Sequence, residues 1–171
     1  MNELYHAWEL VRDRTVGTAL IDAATGREWD FAALQADVDA LPEREPGELS
    51  CPSGFTPDIV FETLRSWRDG AVLRPVERAE DRPDPASVAG LPVHVCHLKL
   101  TSGSASGRKI VAFRADQLAA DARKIVSTMR LNSSSPNLGV ISMSHSYGFS
   151  NLVLPLLLHG IPLVWLGDPL P

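Results

Sequence analysis

The sequence has few cysteines: Cys51 and Cys96 are the only two among 171 residues, and they lie far apart. This scarcity excludes a disulfide-stabilised scaffold and fits a reducing compartment, so we expect a cytoplasmic protein. The first residues also lack the basic-then-apolar pattern of a secretory signal. A chain of this length can bury roughly 70% of its unfolded surface, so its core needs no disulfide or metal support.

Positive charge is also scarce, because 16 lysines and arginines stand against 21 aspartates and glutamates, for a net charge of −5. Binding to nucleic acid depends on a basic face, so no nucleic-acid partner is predicted. Long apolar runs are missing as well. The most apolar stretch, residues 152–166, contains Pro155 and Pro162, and it is shorter than the roughly 20 apolar residues that a spanning helix needs. We therefore predict no membrane span.

The composition is that of an ordinary globular protein, with 44% hydrophobic and 22% charged residues. At about 150 residues per domain, the length predicts one domain. Residues 1–91 are interpreted as a small α+β lead-in lobe with its connection, and residues 92–171 as an α/β subdomain packed against it. The tryptophans are spread along the chain and are expected to anchor the core: Trp8, Trp29, Trp67 and Trp165.

The lead-in lobe carries local signals for a hairpin and two helices. Its predicted elements are strands at 18–21 and 28–31, a helix at 31–41, a helix between Thr56 and Gly70, a strand at 71–73 and a surface connection at 74–91. The second helix has a hydroxyl N-cap in Thr56, a proline at its first position and an acid at Asp58. Gly70 is a typical stop for it.

The second half of the sequence alternates strands and helices. The predicted strands are residues 93–100, 109–113, 138–143 and 161–166, and the predicted helices are residues 115–130 and 149–159. This order predicts an α/β fold in which a parallel sheet is linked by crossover helices. The strands are near-continuous apolar runs, which indicates burial on both faces.

The loop between the first two of those strands is the segment most suggestive of chemistry. It reads Thr101-Ser102-Gly103-Ser104-Ala105-Ser106-Gly107-Arg108-Lys109. Glycines allow close approach of the backbone to a ligand, while backbone N–H groups, hydroxyls and a lysine can bind an anion. A flexible loop with a solvated lysine is the alternative. The Walker and Gly-x-Ser-x-Gly motifs do not fit, because a strand follows Lys109 and Ala105 stands at the centre.

Two histidine-containing segments raise the questions of metal binding and of proton transfer. His94, Cys96 and His97 do not converge on one face of a strand, so core or boundary packing is favoured and no metal site is predicted. His145 has no acid or nucleophile beside it in sequence, so gating or packing is favoured over proton transfer.

Together these segments resemble the adenylate-forming superfamily of acyl-CoA synthetases, aryl acid ligases, luciferases and adenylation domains. The loop at 101–109 resembles the phosphate-binding signature of that family. The segment Ile141-Ser142-Met143-Ser144-His145-Ser146-Tyr147-Gly148-Phe149-Ser150 resembles its second conserved segment. The family's order of a helix followed by an apolar strand is also matched, at residues 156–164 and 64–75.

The resemblance implies a two-step ligase reaction. A carboxylic acid would attack the α-phosphorus of ATP to give an acyl-adenylate and pyrophosphate, and a thiol acceptor, usually coenzyme A, would then take the acyl group. The nucleotide phosphates would be bound by Thr101, Ser102, Gly103, Ser104, Ser106, Gly107 and Lys109. His145 and Tyr147 would lie at the gate of the acyl tunnel or of the route by which ATP enters. Ser106 and Arg108 depart from the glycine and proline that are usual in the family.

Several segments of that family have no counterpart here. The adenine-binding Tyr-Gly-x-Thr-Glu, the ribose-binding aspartate and the lysine of the mobile C-terminal domain would all lie further on, and Tyr147-Gly148 is followed by Phe149-Ser150-Asn151 instead. We therefore expect the N-terminal fragment of such a ligase, without catalytic residues of its own. ATP with Mg²⁺ and coenzyme A are expected for the longer parent, and no cofactor is certain for the fragment.

Two further expectations concern the isolated chain. The alternative function is a stand-alone, non-catalytic module that binds phosphate or a protein partner; a serine hydrolase is a distant third. Self-association is also expected, because a cut after Pro171 would leave a sheet edge and the apolar faces of residues 152–166 without cover. The interface would use the last two strands and the helix at 149–159.

Overall fold

The computed structural model describes residues 3–83, 90–100 and 109–167. Its helices are α1 (Glu3–Arg14), α2 (Phe31–Asp39), α3 (Asp58–Asp69), α4 (Ala115–Met129), α5 (Ser146–Gly148) and α6 (Leu154–His159), with a π-helical segment at Phe149–Val153 between the last two and a 3-10 turn at Ala79–Asp81. Its strands are β1 (Thr18–Asp22), β2 (Arg27–Asp30), β3 (Leu49–Ser50), β4 (Val72–Leu73), β5 (Val95–Leu100), β6 (Ile110–Arg114), β7 (Asn137–Gly139) and β8 (Leu163–Trp165).

The strands form two four-stranded sheets. The first has the order β2-β1-β8-β7, and the second has the order β3-β4-β5-β6. Each sheet is parallel except for one hairpin at its edge, β1–β2 in the first and β5–β6 in the second. Helices link β3 to β4 and β7 to β8, so the predicted α/β class with crossover helices is confirmed. Both sheets contain strands from residues 1–91 and from residues 92–171.

Two details of the predicted sheet are wrong. The four strands predicted in the second half do not share a sheet, because β5 and β6 lie in one and β7 and β8 in the other. Strand β6 pairs antiparallel to β5 and is exposed along most of its length, with Ile110 and Val111 at 42% and 40% exposure. An apolar run of this length predicts a strand, but the number of its neighbours decides whether the strand is buried.

One continuous core joins the helices to both sheets. It contains residues of α1, α2, α3, α4 and α6 together with inward-facing residues of β1, β8, β4 and β5. The tryptophans belong to it as predicted, and Trp8 and Trp67 are fully buried. The Trp8 Nε1 donates to Gln35 Oε1 at 2.7 Å, which satisfies the one polar atom of that side chain.

Local signals placed most helices correctly. The Asp30 carboxylate accepts a hydrogen bond from the Ala33 N–H at 2.7 Å and caps α2, while Gly70 ends α3 with a φ of 73°. The predicted Thr56 cap is wrong: α3 has no side-chain cap, and the Thr56 hydroxyl donates to Asp58 instead. Helix α1 was not predicted, although Leu4, Trp8 and Val11 share its buried face.

The last strands are shorter than predicted. Strand β7 ends at Gly139 rather than at residue 143, and β8 covers only Leu163–Trp165. The helix predicted at 149–159 begins earlier, at Ser146, and passes through the π-helical segment. Within the described ranges, no helix is both long and apolar enough to cross a bilayer.

Candidate functional site

The segments that follow the parallel strands meet one another. After β3, the Gly54 N–H donates to the Val76 carbonyl at 3.0 Å, which lies after β4. The Gly54 carbonyl accepts from the Met143 N–H at 2.9 Å, which lies after β7. Strand ends from both sheets are therefore joined directly. The carboxyl ends of parallel strands are where α/β proteins bind their ligands, so this junction is the candidate site.

Two glycines make this junction possible. A Cβ atom at Gly54 would overlap the backbone nitrogen of Ser144, and a Cβ at Gly148 would overlap the carbonyl oxygen of Ser142. Both neighbours are backbone atoms that cannot turn aside. The segments at 53–55 and 142–148 are thus held in contact at a distance that only glycine permits.

The predicted gate residues lie at this junction and on the surface. His145 stands just before α5, and its Nε2 lies 2.8 Å from Glu77 Oε1 in the segment after β4. Tyr147 is 65% exposed in the first turn of the helix. Glu77 was not singled out from the sequence, because nothing local connects it to a residue 68 positions away. An exposed pair of this kind contributes about 0.2–1 kcal/mol, so it orients the imidazole more than it stabilises the fold.

The predicted phosphate loop lies mostly outside the described residues. This applies to Thr101, Ser102, Gly103, Ser104, Ser106 and Gly107. The ends of the loop are described: Leu100 pairs with Ile110, and the exposed Lys109 immediately precedes that pair. Residues 101–109 therefore connect the two arms of the β5–β6 hairpin. The carboxyl end of β5, which they follow in sequence, lies at the same edge of the sheet as the carboxyl ends of β3 and β4.

A buried polar cluster lies just before the loop. The Lys99 Nζ donates to Ser150 Oγ at 2.9 Å, and Ser150 Oγ donates to Asp121 Oδ2 at 2.6 Å. Burial lowers the pKa of Lys99, and the nearby Asp121 carboxylate partly opposes this shift. Sequence reasoning missed the cluster, although a lysine inside an apolar strand was its visible signal.

The histidine–cysteine segment packs as predicted. Cys96 and His97 are buried in β5, whereas His94 is exposed before it. The His97 ring stacks on Phe149 at a centroid distance of 4.3 Å, and burial holds the pKa of His97 well below its usual value, with the Lys99 charge adding to the effect. Burial raises the pKa of the Cys96 thiol to about 12. Among the described residues no cluster of potential metal ligands is present.

An open cleft of about 1380 Å³ extends from the segment after β3 toward α2 and α3. Ser53, Thr56 and Cys51 line one side of it, and Trp29 and Phe61 line another. The Glu62 carboxylate in this cleft accepts hydrogen bonds from Arg44, Ser50 and Arg65. Burial would raise the pKa of Glu62, but hydrogen bonds from Ser50 and Arg44 outweigh burial and lower it. The cleft's charged residues include Glu62, Arg44, Asp37 and Arg27, which are paired with one another or with neighbours.

The fold is that of solved adenylate-forming enzymes. The N-terminal domain of FACL13 from Mycobacterium tuberculosis, bound to an inhibitor, superposes with a TM-score of 0.78 and 12% identity over 98% of this chain and 58% of that one. ATP-bound MatB from Rhodopseudomonas palustris gives 0.73 and 14%, over 97% of this chain and 45% of that chain. The AMP complex of o-succinylbenzoate coenzyme A synthetase from Bacillus subtilis gives 0.71 and 12%, over 95% and 55%.

These similarities confirm the resemblance drawn from the sequence at the level of fold. The chain spans about half the length of the solved structures that it matches, and it corresponds to their N-terminal part. No protein-family model matches the sequence, and no curated protein gives a significant sequence match. At identities of this size the fold is shared, while activity has to be argued from the site.

Proposed function

We propose that this chain is the N-terminal, phosphate-binding part of an ATP-dependent acid–thiol ligase. The observation that carries the proposal is the direction of strand β5 in its sheet. Its carboxyl end lies at the same edge as those of β3 and β4, and the glycine- and serine-rich segment follows it in sequence. Solved structures of the same fold hold ATP or AMP. Anion-binding loops occupy that place in α/β proteins.

In the proposed reaction, a carboxylate oxygen of the acid bonds to the α-phosphorus of ATP and pyrophosphate leaves. A thiol then attacks the acyl carbon, so that a thioester forms and AMP leaves. The loop residues Ser102, Gly103, Ser104, Ser106 and Lys109, flanked by Thr101 and Gly107, would bind the phosphates. Mg²⁺ would accompany ATP, and coenzyme A is the proposed acceptor. His145, whose Nε2 lies 2.8 Å from Glu77 Oε1, and Tyr147 would border the route of the acid or of ATP.

The loop is tested by measuring pyrophosphate binding with isothermal titration calorimetry. We expect Lys109→Ala to weaken binding about 10- to 150-fold, because a charge-assisted contact contributes about 1.5–3 kcal/mol. Lys124→Ala is the matched control, since Lys124 is an exposed lysine of the nearby helix α4. Equal affinities for wild type and Lys109→Ala would contradict the proposal.

A second function is favoured by one observation, that the given sequence contains no Tyr-Gly-x-Thr-Glu segment. It is a non-catalytic module with the same fold that binds phosphate or a protein partner. Both functions lead us to expect no carboxylate-dependent ATP–pyrophosphate exchange by the 171-residue chain. Exchange restored when a polypeptide carrying the remaining half of the fold is supplied would favour the ligase, and its continued absence would favour the module. Robust exchange by this chain alone would contradict the expectation that the adenine, ribose and catalytic groups lie outside it.

Self-association remains a proposal. The burial of the chain's own residues limits which of them could form the interface. The helix proposed for the interface is buried in the chain's own core, where Leu154, Leu156 and Leu157 are fully covered. The expectation that the apolar faces of residues 152–166 lose cover is therefore wrong for residues 152–158. The edge strand β7 remains as the candidate surface, with Leu138 at 59% exposure.

A further inference from the structure

We propose that Lys99 is a positioning residue for phosphate binding, because its ammonium group fastens the strand that leads into the loop to the helix that follows the gate. The inference rests on the proposed function. It goes beyond that function by assigning a role to a buried cluster outside the loop and the gate.

The contacts of Lys99 define a single buried arrangement. Its side chain is 8% exposed, and its Nζ lies 2.9 Å from Ser150 Oγ and 4.0 Å from Asp121 Oδ2. Ser150 uses its one hydrogen as a donor to Asp121 at 2.6 Å, so its oxygen is free to accept from Lys99. The hydroxyl is thereby fixed in direction, and the three groups form a chain from β5 through the π-helical segment to α4.

Two aromatic rings lie near the ammonium group. Its Nζ lies 4.9 Å from the Phe113 ring centroid and 6.0 Å from that of Phe149. Rings at this distance attract a cation, and they also exclude water from it. A buried charge is costly unless it is paired, so removing any member of the chain leaves the others unsatisfied. The lysine is therefore held in one place rather than sampling several.

The end of β5 depends on this contact. The described pairing of β5 with β4 is limited to His97 and Leu73, so residues 98–100 have no strand beside them on that side. On the other side lies β6, an exposed strand with no further neighbour in the described part of the sheet. The Lys99 side chain links this end of the strand to the helices through Ser150 and Asp121. Thr101, the first residue of the predicted loop, is two positions further on.

The same contact reaches the predicted gate. Ser150 belongs to the helical stretch that begins immediately after His145, and its neighbour Phe149 stacks on His97 of β5. A single face of β5 therefore holds the helix behind the gate while its end leads into the phosphate loop. Moving Lys99 away from Ser150 would shift both.

The test measures pyrophosphate binding by calorimetry on the whole 171-residue chain. We expect Lys99→Met to weaken binding at least about 10-fold, as for loss of a charge-assisted contact, and Lys99→Arg to restore most of it. Arginine keeps the charge and the donors, and the partly exposed Asp121 leaves room for its greater length. Val38→Ala is the control, because it shortens a fully buried side chain of α2, a helix that contributes no residue to the cluster. Under conditions in which this control variant is folded, its affinity for pyrophosphate should equal that of the wild type.

Asp121→Asn covers the case in which Lys99→Met does not fold, since Asp121 is 43% exposed and its replacement has the same shape. It should weaken binding about 2- to 10-fold, since it removes only the outer charge of the chain. If Lys109→Ala weakens binding while Lys99→Met and Asp121→Asn bind like wild type, the role of Lys99 is wrong and the proposed function stands. If Lys109→Ala has no effect, or wild type does not bind pyrophosphate, both are wrong. Failure of Lys99→Arg to restore affinity would also overturn the positioning role.

Discussion

Strands β5 and β6 are the two arms of one hairpin, and their surroundings are opposite. Strand β5 contains a histidine and a lysine, and five of its six residues are buried. Strand β6 contains Ile110, Val111 and Phe113, and none of its residues is fully buried. The difference follows from position in the sheet: β5 lies between two strands and beneath helices, whereas β6 is an edge. Topology, rather than hydropathy, sets the burial of each arm.

The largest expected effect compares one apolar residue from each arm. Leu98 is fully buried in β5 and Val111 is 40% exposed in β6. Leu98→Ala should lower the free energy of unfolding by about 2–5 kcal/mol because it leaves a cavity. Val111→Ala should change it by less than about 1 kcal/mol. Urea denaturation measures both, and equal losses would mean that β6 is covered in solution by something that buries it.

A smaller effect concerns pH and the buried histidine of β5. Burial and the Lys99 charge hold the folded-state pKa of His97 well below 6.5, so the unfolded chain takes up a proton that the folded chain cannot. Stability is therefore present above pH 6.5 and is lost as the pH falls toward the folded-state pKa, by up to about 1.4 kcal/mol per pH unit. Urea denaturation between pH 7 and roughly pH 5 avoids most carboxylate titration.

The variant His97→Gln should flatten that pH dependence. His159, whose pKa is also lowered by burial and by the charges of Arg123 and Arg14, keeps a smaller slope in place. His6→Gln is the control, because His6 lies on the exposed face of α1. An unchanged slope in His97→Gln would show that the buried ring of β5 is not the group being titrated.

The smallest expected effect compares one edge strand of each sheet, β7 of the first and β6 of the second. We expect weak self-association at high concentration through β7, and Leu138→Lys should abolish it because a charge disfavours pairing of sheet edges. Val111→Lys on β6 should leave it unchanged. Light scattering over a dilution series measures both variants. A wild-type chain that stays monomeric at every concentration would contradict the proposal. Loss of association in Val111→Lys alone would show that the interface is formed by β6 instead.

Local patterns in the sequence predicted the elements better than their assembly. The hairpin at 18–31, the stop at Gly70 and helix α4 follow from turn chemistry and apolar spacing, which act within a few residues. The division of strands into two sheets depends on contacts such as Leu20 with Leu163, across more than a hundred residues. No local pattern encodes that pairing, so the sheets were merged into one.

The candidate site shows the same limit. The loop at 101–109 and the His145 segment were predicted as binding segments from their own residues, because glycine, serine and lysine carry their chemistry in short motifs. Glu77 and Ser150 were not found, since each gains its role from a partner on another element.

The close contact at Gly54 and Gly148 has a consequence for how substitutions at this junction would be interpreted. Any side chain at either position meets backbone atoms of residues 142–144, so every replacement should be harmful to a similar degree, whatever its polarity. A catalytic position behaves differently, because it tolerates shape-preserving changes in folding while losing activity. Intolerance at these two glycines would thus record the spacing between two chain segments and say nothing about chemistry. In a survey of all single substitutions, those at the two glycines should be as harmful as those at the buried tryptophans. The variants should fail to fold and accumulate, whereas variants of a binding residue should fold but not bind.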